Sequence, residues 1–497
     1  MTTTVIEIER KYEVGEDVRL PDLVGLPEAV QVDPRAPLTL SATYYDTEEL
    51  DLIRAGITLR RRTGGEDAGW HLKLPVGTDR HEVQLPLHGS GEEPPAELIA
   101  ILRGVVRDRP LIRVGAIDTQ RASTLLLAAD GRLLAEVCDD RVTARRLVTG
   151  SDAAESWREW EVELNVERAG LADELERRLL AAGAHPSARR AKLARILTAT
   201  QAAVPDGPAV PGRTKRKQLT AGEVLAPYLA GQVAELARLD PLVRADVPDA
   251  VHRMRVAGRR VRAVLGTYRG LFDRRRTEPL RVEVKWLVDE LGHPRDLEVL
   301  RSRLDLLLDG EDSRIGADLD AAHEAAHRVA VEAMTSSRYF SLVDSLRNLV
   351  EAPPWSPRAD KPARKQLRAA LLEDIRRLRR AVAKAGRTAE VHDRALRLHD
   401  VRKAAKRIRY SVEAVVPVFG ADAERFAAKL ADLQDVLGEH HDAVVTRHEV
   451  LRLAERHPDL AVSVALSDLD TATDADEQAY EHMVRRLLRP KSSRWLR

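Results

Sequence analysis

Hydrophobic and polar residues alternate with the period of two that marks β-strands over much of the first 203 residues. Six segments predict strands on this basis: Val5–Val14, Gly56–Arg62, Trp70–Pro75, His81–Leu87, Leu133–Asp140 and Trp157–Val166. Apolar residues three and four positions apart predict helices at Pro95–Val105 and Gly170–Gly183. We therefore expect residues 1–203 to form a β-rich domain.

The pattern changes to long helical periodicity from Gln218 onward. Before it, Val204–Lys217 combines prolines and glycines with a basic run, which is typical of an interdomain linker. A second proline-rich segment, Ala352–Pro362, interrupts the helical pattern. The sequence predicts an α+β protein with an all-α domain at 218–497, divided into halves at about 218–350 and 363–497.

Two motifs occur twice in the helical region. The first is a row of basic residues and a histidine with the spacing i, i+3, i+7, i+10, which lies on one face of an α-helix. Its copies are His252, Arg255, Arg259 and Arg262, and then His399, Arg402, Lys406 and Arg409. The second motif follows as Leu291-Gly292 with Arg295-Asp296, and as Leu437-Gly438 with His441-Asp442. Two motifs repeated in the same order predict a duplicated helical unit.

The composition is typical of a globular protein, with 44% hydrophobic and 32% charged residues and a net charge of +1. This balance hides local excesses, since six arginines and no acid lie between Arg253 and Arg269. The single cysteine, Cys138, excludes an internal disulfide and suits a reducing compartment. Because the sequence has neither a secretory h-region nor an apolar run of transmembrane length, the expected location is the cytoplasm.

The basic rows favour a ligand with many regularly spaced negative charges. A solvated helix face is one alternative, although the charges on such faces usually alternate in sign. Nucleic acid is a second, but single-strand binders also supply stacking aromatic residues, and only Tyr268 and Tyr410 lie nearby. Metal binding by His252 or His399 is a third, which the surrounding arginines disfavour. The residues alone leave the polyanion unidentified.

In the first predicted strand, Glu7, Glu9 and Lys11 share one face. The same parity joins charged residues in later strands: Arg60 with Arg62, His71 with Lys73, Arg80 with Glu82, and Glu161 with Glu163. A face with both charge signs does not suit an apolar core, because unpaired buried charge is costly. It indicates either a solvated face of an antiparallel sheet or a barrel with a charged lumen for phosphates and divalent metal ions.

The segments EIERK, LRRR, HLKLP and EWEVEL, in this order over roughly the first 200 residues, resemble the CYTH family. That family includes class IV adenylate cyclases, thiamine triphosphatases and inorganic triphosphatases. The resemblance implies a triphosphate tunnel, which is an antiparallel β-barrel, with Mg²⁺ or Mn²⁺ as cofactor. It also implies catalysis by charge neutralisation and in-line positioning rather than by a covalent intermediate.

Matching the motifs of that family implies three sets of tunnel residues. The catalytic set is Glu7, Glu9, Lys11 and Lys73. The phosphate-binding set is Arg60, Arg62, Arg80, Arg121 and Lys192. The metal ligands are Glu7, Glu9, Glu82, Asp140, Glu161 and Glu163, with Asp140 preferred to Asp139 because it shares strand parity with Glu136. One departure is Gln84, where many members have a further glutamate, and the loss of that carboxylate weakens a second metal site.

The segments VHRMRVAGRRVRAVL and LHDVRKAAKRIRYSVE, with LGHPRDLEVL and LQDVLGEHHD, resemble the CHAD domain over about residues 218–497. This resemblance implies two four-helix halves and binding of inorganic polyphosphate by the basic face. The implied ligands are His252, Arg255, Arg259, Arg260, Arg262, His399, Arg402, Lys403, Lys406, Arg407 and Arg409. Asp296 and Asp442 are expected to orient these cations rather than to contact the anion.

Together the two resemblances imply a metal-dependent triphosphatase, with inorganic triphosphate as the expected substrate. Its helical domain is expected to bind polyphosphate, which extends the expected location to polyphosphate granules. A polyphosphate-binding protein without catalytic activity is the main alternative, and Gln84 supports it. A class IV-type adenylate cyclase is a third possibility, and nucleic-acid binding by the basic rows is the last. The sequence indicates no membrane association and no particular protein partner.

Overall fold

A computed structural model gives the fold of the chain. It describes residues 3–77, 79–87, 91–148, 154–164, 169–187, 192–197, 219–307, 313–388, 390–456 and 463–496. The chain divides into two compact units, residues 1–206 and 207–497, called here the strand unit and the helical unit. The predicted linker, Val204–Lys217, lies outside the described residues.

The strand unit contains every strand that the alternating pattern predicts. Its strands are β1 Thr3–Val14, β2 Gln31–Pro34, β3 Leu38–Asp46, β4 Thr58–Thr63, β5 Gly69–Val76, β6 Asp79–Pro86, β7 Ile112–Leu127, β8 Leu133–Arg146, β9 Ala154–Leu164 and β10 His185–Pro186. Its helices are α1 Asp51–Arg54, α2 Ala96–Val106, α3 Ala169–Ala181 and α4 Lys192–Leu197. The prediction of six strands and two longer helices is confirmed, whereas β2, β3, β7 and β10 were not predicted.

All strand pairs are antiparallel, and the order is β10-β1-β6-β5-β4-β3-β7-β8-β9, with β2 paired to β7. Strand β1 divides its length between β6 and β9, and near its end it also pairs with β10. Residues Thr3–Glu7 pair with β6, whereas Ile8–Val14 pair with β9 at the other end of the order. The sheet therefore curls back to its first strand, although no residue of β1 pairs with both β6 and β9. The result is a tunnel-like sheet.

The hydrophobic core of the strand unit lies outside the tunnel. On β9, Trp160, Val162 and Leu164 are buried, and they alternate with the glutamates on the opposite face. These apolar side chains belong to one cluster with Leu171 and Leu175 of α3. Because successive strand residues point to opposite faces, the strands direct their charged side chains inward while their apolar side chains pack beneath the helix.

The helical unit consists of long helices joined by short turns. They are α5 Ala221–Arg244, α6 Ala250–Thr267, α7 Arg274–Glu290, α8 Gly292–Leu307, α9 Ser313–Thr335, α10 Ser337–Glu351, α11 Ala363–Ala385, α12 Val391–Glu413, α13 Val416–Phe419, α14 Ala421–Arg456 and α15 Ser463–Leu487. Short 3-10 turns lie at Arg269–Leu271 and Pro490–Leu496. No helix in the described part of the chain has the length and hydrophobicity needed to cross a membrane.

The duplication is visible in the order of the helices. Helices α5, α6, the pair α7–α8 and α9 correspond to α11, α12, α14 and α15, so each half is built on four helical segments. The first copy is broken at Leu291, whereas α14 continues through Leu437-Gly438. Pro294 accounts for the break, because proline lacks the backbone N–H that a continuous helix requires.

The proline-rich segment Ala352–Pro362 lies between α10 and α11. Helix α10 ends at Glu351, and α11 begins at Ala363. Within the segment, Trp355 stacks on Phe272 with ring centroids 4.6 Å apart. The segment therefore packs against the first half of the unit.

Candidate functional site

The charged faces of the strands surround a cavity of about 70 Å³ inside the strand unit. Its lining includes these predicted residues: Lys11, Arg60, Arg62, Lys73, Arg80, Arg121, Glu161, Glu163 and Lys192. The backbones of Glu7 and Glu9 lie opposite Arg80 and Glu163 in the sheet, and their side chains are outside the described residues. The strand register thus brings distant parts of the sequence to one tunnel.

Three buried carboxylates and three cations form an ion network on one wall of this tunnel. The carboxylates are Asp140, Glu159 and Glu161, and the cations are Lys11, Arg121 and Lys192. Arg121 donates to both oxygens of Asp140 at 2.8 and 2.7 Å. Lys192 Nζ lies 2.5 Å from Asp140 and 3.2 Å from Glu161. Glu163 also lies 3.7 Å from Arg121, so each of these three cations is paired with at least one carboxylate.

The pKa shifts in this network follow from burial and from ion pairing. Burial raises the pKa of Glu161, but Lys11, Lys192 and Arg121 outweigh burial and hold it well below its ordinary value. Burial also lowers the pKa of Lys192, yet Glu161 and Asp140 bring it above its ordinary range. Both groups are therefore charged at neutral pH, because each stabilises the ionised form of the other.

The two adjacent aspartates of β8 have different partners. Asp140 is completely buried beside Arg121 and Lys192. Asp139 pairs with Arg158 at 2.8 and 2.6 Å, and Arg158 also donates to the Val18 carbonyl oxygen at 2.5 Å. Asp140 therefore belongs to the tunnel wall, whereas Asp139 fixes the loop that follows β1.

The tunnel carboxylates have the chemistry of a divalent-metal site. Oxygen atoms of Asp140, Glu159 and Glu161 lie within 4.8 Å of one another. A second row of acidic residues crosses three adjacent strands. In it, Glu163 of β9 lies directly opposite Glu136 of β8 and opposite the backbone position of Glu9 of β1. Like charges placed directly opposite destabilise a sheet unless a cation lies between them. Hard carboxylate oxygens in this arrangement suit Mg²⁺ or Mn²⁺.

The opposite wall of the tunnel contains residues that the sequence interpretation did not assign to the site. Tyr44 of β3 lies opposite Arg60 and lines the tunnel. Burial raises the Tyr44 pKa, but Arg60, Lys192 and Lys11 outweigh burial and bring the pKa below its usual value. Asp67 lies 2.5 Å from Arg62. The parity of β3 would have found Tyr44, had that strand been predicted.

Glu82 is held by two other side chains of the tunnel. His71 Nδ1 lies 2.8 Å from one oxygen of Glu82, and Lys73 Nζ lies 3.5 Å from the other. Gln84, two residues along β6, lies opposite His71, and its amide nitrogen is 3.4 Å from the Asp67 carbonyl oxygen. An amide therefore occupies the position at which a further carboxylate was expected from the resemblance.

The helical unit has a second and much larger cavity of about 860 Å³. Nine of the predicted polyphosphate ligands line it: His252, Arg255, Arg259, Arg262, His399, Arg402, Lys403, Lys406 and Arg407. Basic residues outside the two repeated rows also line it, namely Arg281, Lys285, Arg295 and His441. The acids in its lining are Asp289, Asp296 and Asp442. Cations therefore greatly exceed acids around this cavity.

Arg260 and Arg409 do not line the cavity. Both lie beside Glu413, at 3.2 and 3.5 Å, and both lie over the Tyr410 ring. The Tyr228 hydroxyl donates to the same carboxylate at 3.1 Å. Arg407 reaches the cavity, although its Nε also donates to the buried Asp374 at 3.1 Å. The two basic rows therefore differ at their last position, because Arg262 lines the cavity whereas Arg409 pairs with Glu413.

The large cavity disfavours the charged forms of its own cations. Burial, together with Arg402 and Arg259, lowers the pKa of Lys406 to about 7. Burial and the neighbouring His441 lower the pKa of His399 to about 4. The Nε atoms of Arg255 and Arg402 are buried and have no hydrogen-bond partner. An anion in the cavity would relieve both the charge excess and the unpaired donors.

The glycine of each second motif makes room for the arginine of the first motif. Arg255 donates to the Gly292 carbonyl oxygen at 2.9 Å and to Asp296 at 3.2 Å. A Cβ atom on Gly292 would lie 3.5 Å from that guanidinium, and a Cβ atom on Gly438 would lie 3.2 Å from the Arg402 guanidinium. The two repeated motifs therefore meet, and they position one arginine in each half.

Comparison with known proteins divides the chain in the same way. The CYTH domain family matches residues 5–186, and the CHAD domain family matches residues 227–451. An uncharacterized protein of Mycobacterium tuberculosis is 37% identical over 472 residues, which is 90% of this chain and 89% of that protein.

Two further similarities are more limited. Thiamine-triphosphatase of Homo sapiens is 43% identical over 77 residues, which cover 15% of this chain and 29% of that enzyme. Among solved structures, PptA from Streptomyces chartreusis is 25% identical with a TM-score of 0.44, covering 54% of this chain and 99% of that chain.

Proposed function

Since the chain belongs to the CYTH family over residues 5–186 and to the CHAD family over residues 227–451, we propose that it hydrolyses inorganic triphosphate and binds inorganic polyphosphate. The observation that carries the proposal is the convergence of the tunnel-lining cations and carboxylates on one small cavity. Thiamine-triphosphatase, which is 43% identical to this chain over 77 residues, supports a triphosphate compound as substrate.

The tunnel cations would bind the phosphate chain along the wall formed by β4, β5 and β6. Arg60, Arg62 and Lys73 present guanidinium and ammonium groups that suit phosphate oxygens. Burial inside the sheet excludes bulk water and strengthens these contacts. On the other wall, Arg121 and Lys192 are already fixed by Asp140, so they enter the reaction without reorganisation.

Glu9, Glu136 and Glu163 are the residues that we assign to a divalent metal, because their strand positions are directly opposite one another. Mg²⁺ or Mn²⁺ bound there would neutralise phosphate oxygens and orient the water that attacks the terminal phosphorus. Asp140 and Glu161 are saturated by cations of the protein, so their main role would be to hold Arg121 and Lys192 in place.

A substrate panel tests the catalytic proposal. The purified full-length chain would be incubated with inorganic triphosphate, long-chain polyphosphate, ATP or thiamine triphosphate, each with Mg²⁺ or Mn²⁺. We expect phosphate release to be fastest from inorganic triphosphate. Glu7→Gln and Glu9→Gln should lower kcat on the order of a hundred-fold. Glu16→Gln is the matched control, because Glu16 is exposed and pairs with Arg141 outside the tunnel.

Two outcomes would contradict the catalytic proposal. Formation of cyclic AMP from ATP, without release of inorganic phosphate from triphosphate, would identify an adenylate cyclase. Absence of metal-dependent phosphate release from all four compounds, by protein that still binds polyphosphate, would identify a binding protein without catalytic activity. Gln84 favours this second function, because it replaces a carboxylate with an amide in the tunnel. In that case, Gln84→Glu should increase metal-dependent phosphate release.

Polyphosphate is the ligand that we propose for the helical unit, since its cavity collects cations from both repeats without matching acids. Arg255→Ala combined with Arg402→Ala should weaken polyphosphate binding at least on the order of a hundred-fold, because a hydrogen bond to a charged group contributes about 1.5–3 kcal/mol. Arg409→Ala combined with Arg260→Ala removes the same net charge outside the cavity and should change the affinity by less than about three-fold. Both would be measured by calorimetry at fixed ionic strength.

Competition with duplex DNA at the same ionic strength separates polyphosphate from nucleic acid, because affinity for any polyanion depends steeply on salt. We expect polyphosphate to displace DNA at an equal concentration of phosphate groups. Stronger binding of DNA per charge would contradict the proposed ligand.

A further inference from the structure

The helical unit has a further cavity of about 220 Å³ beside the end of α6, called here the second helical cavity. Its lining includes five arginines and two acids: Arg269, Arg274, Arg358, Arg377, Arg407, Glu373 and Asp374. Five separate elements supply the arginines, namely the 3-10 turn after α6, the start of α7, the proline-rich segment, α11 and α12. The fold, rather than one charged helix face, therefore brings these cations together.

Both acids of the second helical cavity are held by arginines. Asp374 is buried and accepts hydrogen bonds from Nε of Arg407 and from Nη1 of Arg377, each at 3.1 Å. The Glu373 carboxylate lies 2.8 Å from Nη1 of Arg376, which does not line the cavity. Each acid is therefore committed to an arginine before any ligand binds.

The other three arginines of the lining carry uncompensated charge. In the described part of the chain, no acid forms an ion pair with Arg269, Arg274 or Arg358. All three residues are exposed, so their side chains are free to turn toward an anion. Like charges around one cavity of this size repel one another, and a bound anion would remove that repulsion.

A buried polar network forms the floor of the second helical cavity. Thr267 Oγ1 accepts hydrogen bonds from Ser411 at 2.8 Å and from Nε of Arg407 at 3.2 Å, and it donates to Asp374. Tyr268 also lines the cavity, but its ring is buried and its hydroxyl donates to the Ser411 carbonyl oxygen at 2.7 Å. This ring is not available to stack on a base, which disfavours a nucleotide as ligand.

Arg407 connects the second helical cavity to the large one, because it lines both. Burial lowers the pKa of Arg407, Asp374 opposes that effect, and Arg377 and Arg281 add to it. Arg377 lines the second helical cavity, whereas Arg281 lines the large one. An anion in either cavity would therefore stabilise the same guanidinium, and anions in both would compete for it.

We propose that the second helical cavity binds a small inorganic phosphate anion of the pyrophosphate class, and that its occupation weakens polyphosphate binding in the large cavity. Guanidinium groups suit phosphate oxygens, because each donates paired hydrogen bonds. Two anions that share Arg407 repel each other, so the coupling is negative, and by linkage it is reciprocal. The coupling rests on the proposed function of the helical unit, whereas the pyrophosphate site itself does not.

Hydrogen exchange followed by mass spectrometry tests the site. The full-length chain, in the presence of a chelator, would be titrated with pyrophosphate while amide exchange of residues 267–274 is measured. We expect saturable protection of this segment. Arg274→Ala combined with Arg358→Ala should weaken the apparent affinity about ten-fold or more. Arg275→Ala combined with Lys361→Ala is the matched control, because both residues are exposed and neither lines the cavity.

A second pair of substitutions separates the two cavities. Arg255 and Arg402 line only the large cavity, so their combined replacement by alanine should change the pyrophosphate affinity at residues 267–274 by less than about three-fold. A ten-fold loss there would place the pyrophosphate in the large cavity and overturn the proposal. Absence of protection in the wild type, or an equal loss of affinity in the Arg275–Lys361 control, would also overturn it.

The coupling is tested by calorimetry of polyphosphate binding with and without saturating pyrophosphate. We expect about five-fold weaker polyphosphate binding when pyrophosphate is present. In the Arg274→Ala, Arg358→Ala variant this difference should disappear, whereas direct competition inside the large cavity would persist and would contradict the coupling. Protection of residues 267–274 by polyphosphate alone would show that one chain fills both cavities, which would also contradict it. If polyphosphate does not bind at all, protection by pyrophosphate still tests the site.

Discussion

The tunnel of the strand unit and the large cavity of the helical unit are both rich in cations, but their electrostatic states are opposite. In the tunnel, Arg121 and Lys192 pair with buried carboxylates, which raise the pKa of Lys192 despite its burial. In the cavity, Lys406 has few acids nearby, and its pKa falls to about 7. The same type of residue is therefore stabilised as a cation in one place and destabilised in the other.

This difference separates two ways of preparing a protein for an anion. The tunnel holds these cations in a network of ion pairs, so it is stable without a ligand and fixed in geometry. The cavity holds uncompensated charge, so it gains stability only when an anion binds. Cations held in fixed positions, as in the tunnel, suit catalysis. Cations that repel one another until an anion binds, as in the cavity, suit tight binding of a long polyanion.

The largest expected effect is a loss of stability of the strand unit when the ion network of the tunnel is broken. Arg121→Ala leaves Asp140 buried with one fewer cation and should destabilise the strand unit by about 3–5 kcal/mol. Hydrogen exchange of the β7–β9 region, followed by mass spectrometry, would report the change. Arg145→Ala on β8 is the control, because its pair with Asp118 is exposed and should contribute less than about 1 kcal/mol. Equal effects from the two substitutions would show that the buried ion network of the tunnel stabilises the fold no more than an exposed ion pair does.

In the helical cavity, the loss of a cation is expected to change the stability of the protein in the opposite direction. Lys406→Met removes a cation whose charged form is disfavoured in the folded state, so the anion-free helical unit should become more stable by about 1–3 kcal/mol near pH 7. Thermal unfolding without phosphate would measure this change, and polyphosphate affinity should decrease in the same variant. A loss of stability in anion-free buffer would show that Lys406 is already compensated.

The pH dependence of polyphosphate binding gives a smaller but more specific effect. Free Lys406 has a pKa of about 7, and a bound anion raises that pKa because it stabilises the ammonium form. At pH 8, binding should therefore take up protons, to a maximum of about one per molecule from this group. Calorimetry in buffers with different ionisation enthalpies measures the uptake. The Lys406→Met variant should lose it, and retention of the full uptake there would assign the proton to another group.

The smallest expected effect concerns the repeated glycines. Gly438→Ala places a methyl group 3.2 Å from the Arg402 guanidinium, so this arginine must shift by a few tenths of an ångström. Polyphosphate affinity should fall by about two- to five-fold. Gly292→Ala should have less effect, since its methyl group lies 3.5 Å from Arg255. The order of the two affinities, measured in one titration series, tests whether the halves position their arginines alike.

Strand parity made much of the tunnel predictable from the sequence. Because side chains alternate strictly along a strand, the positions of Arg60, Lys73 and Glu161 on one face followed from the chain alone. Strand β7 was not predicted, since polar residues occupy both of its faces. Strand β3 does alternate, with Leu40, Ala42 and Tyr44 on one face and polar residues between them, so its pattern contained the signal that would have predicted it. Which carboxylates pair with which cations depends on strand register, and parity alone does not determine register.

The helical unit shows a different limit of sequence reasoning. At 100° per residue, the four positions of each basic row spread over roughly 80°, so the fourth lies at the edge of the row. Arg262 lines the cavity and has Gly266 one turn later, whereas Arg409 has Glu413 at that position and pairs with it at 3.5 Å. A single acid outside the repeated motif thus determines where the arginine points. The repeat alone made the two copies look equivalent.

The divided pairing of β1 has a consequence for protein synthesis. The first strand pairs partly with β9, which leaves the ribosome some 150 residues later. Pairing over such a sequence distance is slow and exposes strand edges until the partner emerges. The nascent chain therefore has no complete tunnel wall while β2–β8 are being made. Codon usage or chaperone binding over this stretch would be expected to affect the yield of folded protein more than equal changes in the helical unit.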